Sequence, residues 1–259
     1  MIKNLNEMFL LIGNDRTADR QEDLFALAEE PPAAARQYGR GDIDFILNYF
    51  TRGFDTGKMT GAALTIFELS CDAFDTVLHA WMSEEPVETE IIRFGRRVIS
   101  SAGKAVFDRG DSDTLAVHAS AGRVFHEVHR MMGLMRFTPD SNGRYTAKCA
   151  PDHFILPVLG EYFTSRFGET SWVVHDEKRN LFLGRKPGEK AQIFFQNEME
   201  TVSSAGNGVY GDASVPDKWE TLWKHYHKTI NNESRNNTGL QRQLMPKRYW
   251  KYLSEMENI

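Results

Sequence analysis

The chain has 259 residues, 41% hydrophobic and 12% aromatic, enough to bury a core as one large domain or two smaller ones and to set wholesale disorder aside. Its longest apolar runs, such as Phe154 to Leu159 and Ala62 to Ile66, fall far short of the roughly 20 residues a bilayer crossing needs. The patch from Met8 to Ile12 meets Asn14 and Asp15 instead of continuing as an export signal, so no membrane contact and a cytoplasmic location are expected. The net charge of -5 conceals an asymmetry: residues 1–117 hold 12 Lys+Arg against 20 Asp+Glu, net -8, and residues 118–259 hold 19 against 16, net +3.

Along the chain, the first forty residues mix acids, alanines and Pro31-Pro32, which predicts one short helix and an irregular connector. Helical spacing of apolar residues predicts helices over 43–54 and 60–82, the latter through Leu64, Phe67, Cys71, Phe74 and Leu78. After Pro86 a helix over 88–107 places Ile91, Phe94, Val98 and Ala102 on one side and Arg93, Arg96 and Arg97 elsewhere. Residues 1–117 thus read as a helical, acidic region. A helix over 114–132 is expected to bury Val117, Ala121, Val124, Val128 and Met131, with Arg123, Glu127 and Arg130 on a charged stripe.

Gly133 ends that helix, and strands are expected over 134–139 and 144–149, around Asn142-Gly143, a strong hairpin signal. A helix over 151–167 follows, then a second hairpin from Trp172 to His175 and Leu181 to Arg185, and a short strand over 192–195. The order hairpin, helix, hairpin predicts an α+β fold: an antiparallel sheet covered on one face by helices. Residues 201–216 read as a loop. Two helices close the chain, over 217–230 and 246–257, the latter with Pro246 in its first turn. Residues 118–259 form the α+β domain. The helices around Leu64 to Leu78 and Ile91 to Val98 are expected to cover part of its core and so make one structural unit of the chain.

Cys71 and Cys149 are too far apart in sequence to suggest a disulfide framework or a zinc site, and two buried thiols are expected. No phosphate-binding glycine loop, dinucleotide fingerprint or nucleophile elbow is present. His126 and His129 lack both the i, i+4 spacing of a zinc helix and a third ligand, so neither metal nor cofactor is expected. Glu127 lies one turn from Arg123 and from Arg130, an arrangement that either fixes two guanidinium groups for a phosphate or forms a solvated ladder. His175 and Asp176 end a predicted strand, with Lys178 and Arg179 in the turn; they read as an acid/base pair or as an Asp-nucleated turn beside a buried histidine. The basic surplus is densest from Lys218 to Lys251, where eight basic residues face two acids, a local net of +6, the footprint of a surface that meets phosphates. There Trp219, Trp223, Tyr226, Tyr249, Trp250 and Tyr252 alternate with Lys224, Lys228, Arg235, Arg242, Lys247 and Arg248, a combination suited to stacking on bases and neutralising phosphates. Trp223 and Trp250 are nevertheless expected in the core.

Three ordered blocks, "RVFHEVHRMMGLMRF", "HFILPVLGEYFTSRFGETSWVVHDEKRNLFLG" and "WETLWKHYHKTINNESRNNTGLQRQLMPKRYW", resemble the bacterial family of probable DNA metabolism proteins, a domain of unknown function. The family pattern falls on Glu127, His129, Arg136 and Phe137; then on His153, Arg166, Phe167, His175, Asp176 and Arg179; then on Trp223, Tyr226, Arg235, Asn236, Gln241, Pro246, Arg248, Tyr249 and Trp250. The resemblance implies a genomic neighbour of the radical SAM class suspected of DNA modification or repair, and a relation to domains fused to uracil-DNA-glycosylase-like domains. The acidic N-terminal half departs from the family. The expected function is an accessory nucleic-acid-binding protein of DNA repair or modification that acts with a separately encoded enzyme. It would hold DNA through Arg123, Arg130, Arg136, Arg166, Arg179, Arg235, Asn236, Arg242, Lys247 and Arg248. The rival expectations are an enzyme acting on DNA or nucleotides with Glu127, His129, His175 and Asp176 as acid-base groups, and a protein-interaction module with an acidic partner.

Overall fold

The computed structural model of the chain describes residues 2, 4–13, 38–51, 53–59, 61–140, 143–198, 218–230 and 237–256. The expected connector around Pro31-Pro32, the loop over 201–216 and Asn142 of the first hairpin lie outside the described residues. Packing divides the chain into two units, Met1–Val128 with Asp152–Pro157, and His129–Pro151 with Val158–Ile259.

The first unit is helical, with α1 (Leu5–Gly13), α2 (Arg40–Phe50), α3 (Gly61–Leu69), α4 (Cys71–Trp81), α5 (Glu88–Ser100) and the larger part of α6 (Ser112–Leu134). Asn4 opens α1 by accepting the Glu7 N–H at 2.8 Å, and the buried Asp42 of α2 accepts the Leu5 N–H at 3.1 Å, so donors left over at a helix start find partners. The single helix expected over 60–82 is two helices. The Ser70 hydroxyl accepts the Ala73 N–H at 3.1 Å, and a serine that bonds ahead in this way begins a new helix. The helix expected to reach Phe107 ends at Ser100, because Ala102 and Gly103 take left-handed φ values of 49° and 82° and the Gly103 N–H donates to the Val98 carbonyl at 2.8 Å. Phe107 is consequently 65% exposed.

The core of this unit gathers around the buried Phe74, whose ring lies 5.8, 5.2 and 5.6 Å from those of Phe9, Tyr49 and Phe67. Of the two thiols expected inside, Cys149 is buried, whereas Cys71 is exposed at the first position of α4. Helix α6 starts where Asp111 accepts both the N–H and the hydroxyl of Thr114, at 2.9 and 2.8 Å. Its expected inner face is buried throughout, at Val117, Ala121, Val124, Val128 and Met131.

The second unit is a five-stranded sheet in the order β1-β2-β3-β4-β5: β1 (Thr138–Pro139), β2 (Tyr145–Cys149), β3 (Trp172–Asp176), β4 (Leu181–Arg185) and β5 (Gln192–Phe195). Helix α7 (Leu156–Phe167) lies between β2 and β3 in sequence. β1–β2, β3–β4 and β4–β5 pair antiparallel as expected, but β2 and β3 run parallel, Tyr145 opposite Trp172 and Cys149 opposite Asp176. The α+β class stands, and the sheet is mixed. The cause is length: α7 rises roughly 18 Å, about the span of a five-residue strand. It therefore returns the chain to the end where β2 began, as a parallel pair requires. β1 is shorter than expected because α6 continues to Leu134.

Strand alternation puts Trp172, Val174, Ala147, Cys149, Leu181, Leu183 and Ile193 on one buried face, where Phe163 and Phe167 of α7 meet the Trp172 ring at 5.8 and 6.4 Å. The opposite face carries Lys148, His175, Phe182 and Phe194. The C-terminal part holds α8 (Lys218–Ile230), α9 (Thr238–Leu244) and two 3-10 segments, Lys247–Tyr252 and Ser254–Met256, in place of the α-helix expected over 246–257. Leu253 is extended, with φ -109° and ψ 107°, and breaks the run in two. Among the described residues no helix is long and apolar enough to cross a membrane.

Within the first unit α1 approaches α5 at Gly95, where a Cβ would lie 2.8 Å from Ile12 Cδ1 and 3.0 Å from its Cγ2. Gly95→Val is expected to lower stability by about 1–3 kcal/mol through overpacking, read as a lower urea midpoint. An unchanged midpoint would show that α1 yields without penalty.

Candidate nucleic-acid interface

The end of β3 sets the site. Asp176 turns to the covered face and is fully buried, its Oδ1 accepting the N–H groups of Lys178 and Arg179 at 3.0 and 3.3 Å and its Oδ2 accepting Arg179 Nη1 at 2.9 Å. The same Nη1 donates to the Pro151 carbonyl at 3.2 Å. Burial pushes the Asp176 carboxyl above its ordinary range, and the Arg179 guanidinium and the two amides pull it back only in part. Asp176 thus nucleates the turn that joins β3 to β4, with Asn180 in left-handed backbone at φ 56°. Arg179, expected at a phosphate, has a side chain only 4% exposed and engaged with Asp176. His175 faces the other way. Its ring lies parallel to that of Phe182 at 4.2 Å, and its Nε2 is 3.3 Å from Asn180 Oδ1.

Glu127 is described within the first unit. It is 3% exposed, and its two oxygens accept the N–H groups of Asp152 and His153, each at 2.8 Å. It is therefore not part of a solvated ladder: Arg123 pairs with Glu85 instead, and Arg130 is half-buried. Glu127 clamps the segment 152–153, whose next residue donates its own N–H to the Met82 carbonyl at 3.0 Å. The spacing carried a signal for this, since Glu127 lies three residues after Val124 and four before Met131, on the buried stripe. His129 is exposed. Both candidate carboxylates, Glu127 and Asp176, are thus closed to solvent and occupied by protein donors. Among the described residues no three His, Cys, Asp or Glu side chains are grouped to hold a metal ion.

Glu177, the next residue after Asp176, faces outward and gathers the C-terminal segment. It accepts the Tyr252 hydroxyl at 2.7 Å, and Lys251 Nζ and Lys148 Nζ lie 3.3 and 3.9 Å from its oxygens. The Tyr252 hydrogen bond, with the lysines adding to it, holds the Glu177 carboxyl below the usual glutamate value. The 3-10 segment anchored here turns every three residues, which separates the inner Tyr249 from the exposed Arg248 and Lys251. Each cation lies over a ring: Lys247 at 5.7 Å from Trp250, Arg248 at 4.6 Å from Tyr249 and Lys251 at 4.6 Å from Tyr252. The Trp250 indole N–H donates to the Met245 carbonyl at 2.8 Å, and Arg248 Nη2 to the Tyr249 hydroxyl at 3.0 Å.

A second anchor lies beside it. Arg136 grips Glu255 through Nη2 at 2.6 Å and Nε at 3.2 Å, and its guanidinium lies 5.5 Å from the centre of the Trp223 ring. Burial would raise the Glu255 carboxyl, but hydrogen bonds from Arg136 and Trp223 hold it below its ordinary value. Helix α8 packs on the Ser254–Met256 turn, and Gln241 of α9 reaches Met256 Sδ at 4.0 Å. Contacts within the second unit therefore link the elements that carry Arg136, Arg242, Lys247 and Arg248. Trp223 and Trp250, both expected in the core, differ from that expectation: Trp223 is 39% exposed and Trp250 half-buried. Arg166 is exposed on α7 beside the Tyr162 hydroxyl, 3.2 Å away. Arg235 and Asn236 lie outside the described residues. Lys148, Glu177 and Glu255 were not expected in the site.

The sequence pattern of a family described as a domain of unknown function, DUF4130, matches residues 85–255. No curated protein and no solved structure matches the chain.

Both buried carboxylates are testable as structural groups. Asp176→Asn leaves Arg179 charged and buried without a counter-ion, and is expected to lower stability by about 3–5 kcal/mol. Glu127→Gln turns one of two acceptors into a donor facing an N–H group, with an expected loss of about 2 kcal/mol. Denaturant melts would measure both, and wild-type midpoints in both variants would contradict the assignment.

Proposed function

The chain belongs to the DUF4130 family, and we propose that it is an accessory nucleic-acid-binding protein of DNA repair or modification that works with a separately encoded enzyme. The observation that carries this reading is the C-terminal 3-10 segment, where Lys247, Arg248 and Lys251 stand at the surface, each over an aromatic ring. A cation held in this way has lost part of its rotamer freedom before a phosphate arrives, so less is lost on binding. The local net charge of +6 between Lys218 and Lys251 supports a polyanion as the ligand. The enclosure of Glu127 and Asp176 supports binding over acid-base chemistry at those groups.

The resemblance to the DNA metabolism family supports DNA as the polymer, and an enzyme of radical SAM or glycosylase type as the partner, in the cytoplasm. On this reading the chain brings the partner to its substrate and holds phosphates with Arg242, Lys247 and Arg248, while Arg136 braces the surface through Glu255.

The test is salt dependence. The affinity for a fluorescent DNA oligonucleotide is expected to fall steeply with added salt, and Arg242→Ala, Lys247→Ala and Arg248→Ala are each expected to reduce the slope of log K against log salt by roughly 0.7–0.9. Binding that ignores salt, or no binding at low salt, would overturn the proposal.

A further inference from the structure

Resting on the nucleic-acid reading, we propose that the ligand is a single strand, and that Trp223 and Tyr226 of α8 form the platform on which its unpaired bases stack. On a helix, positions 223, 226 and 230 share one stripe, and 224 and 228 share the neighbouring one. The first stripe is Trp223, Tyr226 and Ile230; the second is Lys224 and Lys228. Trp223 is 39% and Tyr226 52% exposed, with ring centroids 5.9 Å apart and planes tilted by 34°. A soluble protein rarely leaves adjacent aromatic rings open to water without a use for them.

The Trp223 ring is also held by a cation. Arg136, fixed to Glu255 by two hydrogen bonds, lies over the indole at 5.5 Å, so the ring is presented in one position. Such a surface selects among polyanions. A duplex turns its base faces inward against one another and offers only phosphates and groove edges. A single strand offers both phosphates and open base faces, and base–aromatic stacking tolerates any sequence because every base has a π-face. Charge decides against an apolar protein surface as the occupant. The neighbouring stripe of the same helix carries Lys224 and the exposed Lys228, and Glu255 is already engaged by Arg136. A strand that stacks on Trp223 and Tyr226 thus runs its backbone along cations.

The experiment uses the full chain and three probes at one salt concentration: an oligothymidine of about 20 nucleotides, the same strand annealed to oligodeoxyadenosine, and poly-L-glutamate of matched charge. The single strand is expected to bind at least tenfold more tightly than the duplex. Tyr226→Ala is expected to lower single-strand affinity about tenfold while leaving duplex affinity unchanged, and Trp223→Leu to do the same, with circular dichroism confirming that both variants fold. Arg242→Ala lowers affinity for both DNA forms and separates charge from stacking. Equal affinity for strand and duplex, or a Tyr226→Ala variant with unaltered single-strand binding, overturns this inference and leaves the nucleic-acid reading intact. Failure of every DNA probe overturns that reading and this inference together. Poly-L-glutamate that binds as tightly as the strand, and is as sensitive to Tyr226→Ala, would identify an acidic protein as the occupant and overturn the single-strand assignment.

Discussion

Asp176 and Glu177 are neighbours in sequence and face opposite ways. Asp176 is the last residue of β3 and goes into the core, and Glu177 opens the turn and goes to the surface. Asp176, itself fully buried, holds Arg179 and two backbone amides of the turn, which fixes where β3 ends and β4 begins. Glu177 takes the Tyr252 hydroxyl and the ammonium groups of Lys251 and Lys148, which fixes where the C-terminal segment rests. The register of one strand thereby ties the sheet to the basic, aromatic surface. A one-residue slip of β3 would exchange the two carboxylates, placing Glu177 among apolar residues and Asp176 in water, and would undo both arrangements. Arg136 and Glu255 repeat the device on the other side of the segment, where an ion pair between two distant residues also orients an exposed tryptophan.

Much of the fold was legible in the sequence, because it follows from local periodicity. The buried stripe of α6, the β3–β4 hairpin and β5 lie where apolar spacing placed them. The misses share a cause in distance or in competition between local signals. Nothing within five residues of Cys149 says that β2 will pair parallel to β3; that depends on the length of α7. Ser70 was hidden inside an apolar pattern that continued through it, and only its cap to Ala73 divides α3 from α4. Glu127 was grouped with two arginines by charge, although its spacing from Val124 and Met131 already put it on the inner face. The amides that receive it come 25 and 26 residues later. In the site, the density of cations and aromatics was visible, and Arg242, Lys247 and Arg248 stand exposed as that density implied. The carboxylates that organise them were not, since Glu177 and Glu255 meet partners 75 and 119 residues away.

Burial sorts the candidate residues by role. Arg179, Asp176 and Glu127 are closed to water and support the backbone, whereas Arg242, Lys247, Arg248 and Tyr226 are open to it. Since a phosphate must be met at the surface, only the second group is placed to meet one, and the first keeps the scaffold in register. The family match runs from residue 85 to 255 and so takes in both sets, together with α5 and α6. This places the family's common part further into the acidic half than the boundary at residue 118 drawn from charge alone.

The most direct measurement of the central claim, that the C-terminal basic and aromatic surface is where a nucleic acid lies, is photocrosslinking. A single strand carrying 5-iododeoxyuridine is bound to the full chain at low salt, irradiated, and its adducts mapped by mass spectrometry. The account predicts adducts on the aromatic residues of α8 and of the 247–252 segment, with Trp223 and Tyr226 foremost. Adducts confined to the helices of the first unit, with none between residues 221 and 252, would contradict it.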